Sequence, residues 1–166
     1  MPIHITSELI LKLFFLGILF YITWTDLKYR TISNRCIIVA ILIRFLYFLI
    51  TKEGNWRAFL WLIFNGLLVS VPVLLLTLLA EAVLKKGALG GGDIKLLFAL
   101  GVYLGPAKSL LMLLIACLCG IIEAAIAIKQ SKNRESTAFP FGPCLAVGAA
   151  VSLFFGDSII TWYLLR

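Results

Sequence analysis

Two aspartates carry the chemistry that this sequence can support. Asp26 closes an apolar run over residues 9–25, and Asp93 follows the glycine-rich stretch Gly87-Ala88-Leu89-Gly90-Gly91-Gly92. An acid at a membrane boundary is costly and marks function by default, and a carboxylate at a helix C-terminus opposes the helix dipole. Two carboxylates brought side by side resist joint ionisation, so the pair holds one proton and titrates as a unit. In that state one acid draws a proton from water while the other protonates or hydrogen-bonds a carbonyl, which is the chemistry of amide hydrolysis. Each residue also has a plainer reading. Asp26 alone is a solvated interfacial charge, and Asp93 alone is a helix N-cap after a flexible loop. The readings part on whether both acids reach the same side of the same layer.

That layer is a bilayer. Of 166 residues, 62% are hydrophobic and 14% charged, against roughly 45–50% apolar and about 25% charged in a soluble domain. Too few charges remain to cover a water-facing surface, which excludes a cytosolic enzyme or a nucleic-acid reader. Four cysteines lie scattered in apolar stretches without a CxxC pair, and His4 is the one histidine. Neither a disulfide framework nor a histidine-based metal site is expected, and no cofactor is called for. A hydrocarbon core of about 30 Å takes roughly 20 apolar helical residues. Residues 9–25 form one such run, with Lys12 near its outer end. It ends in Trp24-Thr25-Asp26-Leu27, not in a small-residue cleavage site, and so reads as a retained helix. Residues 36–51, with Arg44 at their middle, and residues 58–80 follow. Residues 94–104 are short, about 16 Å at helical rise, and stop at Gly105-Pro106. Residues 107–128 and 136–156 complete the set, with 158–165 either extending the last or lying at the interface. The expectation is an all-α, polytopic membrane protein of about six transmembrane helices, a single membrane-embedded domain over 1–166, with lipid as its partner.

Loop charges orient it. With the first helix running inward, the three inner loops hold nine Lys and Arg, among them Lys28, Lys85, Lys95 and Lys129, and the outer side five. The positive-inside rule therefore predicts the N-terminus outside and those loops in the cytoplasm. Two crossings separate Asp26 from Asp93, so both fall at the cytoplasmic boundary. Asp157 falls on the outer side and cannot complete the pair.

At these residues the sequence resembles the type IV prepilin peptidases, polytopic aspartic proteases of the GxGD type. Gly90-Gly91-Gly92-Asp93-Ile94-Lys95-Leu96 matches the family's GxGDxKL stretch, and Ala99-Leu100-Gly101 with Leu104-Gly105 continues it. Asp26-Leu27-Lys28-Tyr29-Arg30-Thr31-Ile32-Ser33-Asn34 matches the stretch after the first catalytic aspartate, with Ser33 where the family usually has proline. Phe139-Pro140-Phe141-Gly142-Pro143 matches the Pro-Phe-Gly-Pro segment near the end. Presenilins and signal peptide peptidases share GxGD but pair it with Tyr-Asp and Pro-Ala-Leu motifs, which this sequence lacks. The resemblance implies that Asp26 and Asp93 are the catalytic pair, and that the substrate is a type IV prepilin or pseudopilin whose basic leader is cut at the cytoplasmic face of the inner membrane. Bifunctional members carry a large cytoplasmic loop, often with paired CxxC motifs, and methylate the new terminus. Only eight residues precede the first run here. The likeness is to the short class of Flp or tight-adherence pili and preflagellin peptidases, and it does not extend to methyl transfer.

Other residues keep two readings each. Lys95 either favours ionisation of an aspartate and orients substrate, or marks the inner interface. Gly90 and Gly92 supply backbone angles closed to other residues and let an extended peptide approach. The Pro-Phe-Gly-Pro segment is placed near the site with no chemical step. Asn34 either bonds near Asp26 or ends a turn, and Glu123, inside the fifth run, needs a partner or a proton. A small ion- or proton-coupled transporter using the same aspartates is the rival reading, with the glycine-rich break as a discontinuous helix; an inactive scaffold is a third.

Overall fold

The computed structural model describes residues 2–29, 31–50, 56–85, 89–130 and 141–165. They form five helices: α1 (Pro2–Tyr29), α2 (Asn34–Ile50), α3 (Trp56–Leu84), α4 (Gly91–Gln130) and α5 (Gly142–Leu164). No strand occurs among the described residues. Lipid cannot satisfy a bare peptide group, so uninterrupted apolar runs close their hydrogen bonds within helices. Large side chains such as Phe20, Leu76, Leu79, Ile121 and Phe155 stand exposed around the outside. On a soluble protein such a surface would aggregate; here it is the face that meets acyl chains. Four stretches, Leu9–Tyr29, Trp56–Val83, Gly91–Ile126 and Gly142–Leu164, are long and apolar enough to cross a membrane. The chain is an all-helical, multi-pass membrane protein.

α4 is not one straight rod. Gly105 has φ 73° and ψ 175°, a left-handed value open to glycine and strained for other residues, and Pro106 brings no N–H to a helical ladder. The chain folds back there. Asp93 opens the first half near Asp26, and Glu123 in the second half lies beside Cys144, two residues from the Gly142 that touches Asp26. The break expected at Gly105-Pro106 is therefore present, and both arms of α4 return to one end of the bundle.

α4 packs against α3 and α5 and also touches α2, while α1 lies on α5 and α2. The core joins Phe15, Leu19 and Ile22 of α1 to Leu96, Leu97 and Leu100 of α4 and Leu145 and Ala149 of α5. Between apolar helices in lipid, contact depends on small residues that let backbones approach. A Cβ on Gly101 would fall 2.9 Å from the Cα of Gly66, and one on Gly148 would fall 2.5 Å from the carbonyl oxygen of Met112. Tyr103 ties three helices at one point: its ring stacks on Phe15 at 3.9 Å between centroids, and its hydroxyl donates to the Ala40 carbonyl at 2.8 Å. The last helix covers most of its apolar run and passes the end of it. The described part starts at Gly142 with Pro143 in its first turn, where proline is at home, and runs to Leu164, so residues 158–164 extend it. Residues 136–140 lie outside the described set.

Candidate active site

Three helix ends build the site: the C-terminus of α1 and the N-termini of α4 and α5. Asp26 sits in the last turn of α1 and is only 5% exposed. Its own helix dipole opposes it, but a neighbouring one supports it. The N–H of Gly142, first residue of α5 and free of any helical partner, donates to Asp26 Oδ2 at 3.1 Å. A carboxylate against a helix N-terminus is in its favoured place. A larger residue would have to push the carboxylate aside: a Cβ on Gly142 would stand 2.5 Å from Asp26 Oδ2.

Asp93 lies in the first turn of α4. Its N–H donates to the Gly90 carbonyl at 3.0 Å, and the Gly90 backbone N–H bonds its carboxylate. Asp93 Oδ1 is buried without a protein partner, and Asp26 bears on Asp93 electrostatically. Two acids far apart in sequence thus lie at one end of the bundle within electrostatic reach of each other, one held through α5 and the other by the turn before α4.

The structure gives the flanking residues contacts that their side-chain types do not announce. Neither Gly90 nor Gly92 adopts a positive φ; among the described glycines Gly105 alone does. Their contribution is space. A Cβ on Gly90 would meet Asp93 Oδ2 at 3.1 Å, and one on Gly92 would meet Ile32 at 3.1 Å, so the connection between α1 and α2 can close on the start of α4. Lys95 Nζ donates to Asn34 Oδ1 at 3.1 Å on an exposed face. It tethers α4 to the first residue of α2, and Asn34 finds its partner in Lys95. Glu123 faces the Cys144 thiol on α5. Asp157 pairs with Lys108 at 2.7 Å at the far end. Among the described residues no three His, Cys, Asp or Glu side chains cluster as metal ligands would.

Sequence reasoning missed the donor of Asp26. The clue was present, since Phe141-Gly142-Pro143 starts a helix with a bare glycine N–H, a ready anion site. Phe139 and Pro140 lie outside the described residues.

With this geometry in view, comparison with known proteins narrows the meaning of the site. A family model described as the type IV leader peptidase family matches residues 13–125, a stretch that holds both aspartates. The prepilin leader peptidase/N-methyltransferase of Bacillus subtilis (strain 168) is 32% identical over 165 residues, which are 96% of this chain and 61% of that protein. The protein of the same name from Legionella pneumophila is 40% identical over 79 residues, 48% of this chain and 28% of its own length. A type 4 prepilin-like proteins leader peptide-processing enzyme of Escherichia coli O78:H11 is 42% identical over 76 residues, 46% of this chain and 26% of that enzyme. This chain therefore spans less than two thirds of the length of each of these relatives. No solved structure matches it.

Proposed function

We propose, for a chain that belongs to the type IV leader peptidase family, that Asp26 and Asp93 form a water-activating acid pair that cuts the basic leader from type IV prepilins or pseudopilins. The observation that carries this reading is the placement of the two acids at one end of the bundle within electrostatic reach of each other, with the Gly142 N–H on Asp26 and the Gly90 N–H on Asp93. The pair shares one proton. The ionised carboxylate takes a proton from water as the water oxygen attacks the scissile carbonyl carbon, and the protonated carboxyl gives its proton to the carbonyl oxygen. The tetrahedral gem-diol then breaks its C–N bond: the leaving nitrogen takes the proton drawn from water, the other carboxylate takes back a hydroxyl proton as the carbonyl re-forms, and the pair returns to its one-proton starting state. Gly142 fixes the Asp26 carboxylate so that both acids address one water.

The substrate is an apolar helix lying in the bilayer with its positive leader in water. A helical peptide bond is shielded, so the segment unwinds before attack, and a glycine at the cut lowers that barrier. Gly90 and Gly92 keep the approach to Asp93 open. The site faces the cytoplasm and the N-terminus lies outside the inner membrane, as the loop charges favour. Counting the two arms of α4 separately, six helical segments cross or enter the bilayer.

The test is coexpression of Asp26→Asn or Asp93→Asn with a prepilin. Uncleaved precursor accumulates in both variants, and normal processing by either rejects the acid pair. Ion or solute flux that depends on the same aspartates, without cleavage, would assign the transporter instead.

A further inference from the structure

At the other end of the bundle lies a cavity of about 340 Å³ that the proteolytic reading leaves unused. Its polar lining comes from four helices: Lys12 of α1, Arg44 and Tyr47 of α2, Tyr103 and Lys108 of α4, and Asp157 of α5. Lys12 is fourteen residues before Asp26 in the same helix, about 21 Å along the axis at helical rise. Three cations meet one carboxylate here. Lys108 is already paired with Asp157 at 2.7 Å, whereas Lys12 and Arg44 make no ion pair among the described residues. Arg44 stands with its guanidinium carbon 5.6 Å from the Tyr47 ring centroid, and its Nε is buried without a hydrogen-bond acceptor.

An arginine in an otherwise apolar membrane helix costs about 2.5–3.5 kcal/mol to insert at the helix centre and is kept where it faces a cavity and a counter-charge. Among the described residues the cavity offers Arg44 no carboxylate except Asp157, which Lys108 already holds. We propose that this cavity binds a phosphate-bearing anion, with the Arg44 guanidinium as the planar fork and Lys12 and Lys108 as point charges around it. Asp157 reduces the net charge of the lining to +2 and holds Lys108 in place. Both an anionic phospholipid headgroup and free phosphate carry the required group. The lateral setting among four helices, with Phe15 and Leu104 as apolar walls, suits a headgroup whose acyl chains stay in the bilayer.

Native mass spectrometry of the intact chain, released from micelles doped with phosphatidylglycerol or with phosphatidylcholine, reads the site directly. The wild type retains phosphatidylglycerol in preference to phosphatidylcholine. Arg44→Gln weakens that retention by about tenfold or more, Lys12→Gln weakens it less, and Arg44→Lys keeps part of it because the charge survives without the fork. Should Arg44→Gln fail to fold, Lys12→Gln and Arg44→Lys still carry the test. Displacement of the lipid by excess inorganic phosphate assigns the site to the phosphate group alone, and retention against it assigns the site to a lipid. Equal retention of the two lipids by the wild type, or unchanged selectivity in folded Arg44→Lys and Lys12→Gln, overturns the proposal.

Discussion

The two ends of this bundle hold charge in opposite ways. At one end Asp26 and Asp93 are short side chains fixed by backbone N–H groups of Gly142 and Gly90. At the other, Lys12, Arg44 and Lys108 are long side chains gathered around open space, and Lys108 takes its partner from another side chain. Backbone donors move only with the main chain that carries them, the start of α5 for Gly142 and the turn before α4 for Gly90, so the acidic end admits little chemical variation. Flexible stems adapt, so the basic end tolerates conservative change. A reaction that needs two oxygens addressed to one water belongs at the first kind of end. The phosphate-bearing anion proposed above suits the second.

The sharpest way to break this contrast is at the acids. Asp26→Asn and Asp93→Asn keep the shape of the side chain and remove its proton chemistry, and prepilin processing falls by about 10²–10⁴-fold or more, read as precursor against mature pilin over time. Next comes the brace. Gly142→Ala adds an atom where 2.5 Å is available beside Asp26, and a carboxylate displaced by about 1 Å loses roughly 10²-fold in rate. Helix content by circular dichroism stays at the wild-type level. If Gly142→Ala processes normally, the acidic end tolerates variation and the contrast fails. Away from both ends, Gly101→Ala forces α4 off the Gly66 backbone and lowers stability by about 1–3 kcal/mol, measured by thermal unfolding in detergent. The smallest effect is at the tether. Lys95→Ala and Asn34→Ala remove one exposed hydrogen bond, and processing stays within about threefold, the equivalent of under 1 kcal/mol. A large loss in Lys95→Ala with none in Asn34→Ala shows Lys95 acting on substrate and not on α2.

Much of this arrangement can be read from side-chain types. Apolar runs near bilayer length give the helices, Gly105-Pro106 gives the break, and the two carboxylates at matching ends give the pair. Where the reading falls short, the missing information is carried by backbone or by space. Gly142 acts through its N–H, which no residue code announces. Gly90 and Gly92 suggest special backbone angles because that is the commoner use of glycine in a loop, whereas here they make room for Asp93 and Ile32. Lys95 and Asn34 are each ambiguous until α2 and α4 are laid side by side. Glu123 finds Cys144 across a helix pair whose register follows from Gly148 seated on Met112, a packing detail that hydropathy does not encode.

The reversal at Gly105 gives α4 the shape of tweezers. Its bend lies at one end of the bundle and its tips at the other: one tip bears Asp93, and the second tip lies beside the start of α5, whose first residue steadies Asp26. From Gly105 to Asp93 the arm is about 18 Å long, so a tilt of about 5° at the pivot displaces the acid by roughly 1.6 Å. Any change of angle at Gly105 would therefore be felt most at the tips, where it alters the spacing between Asp93 and the start of α5.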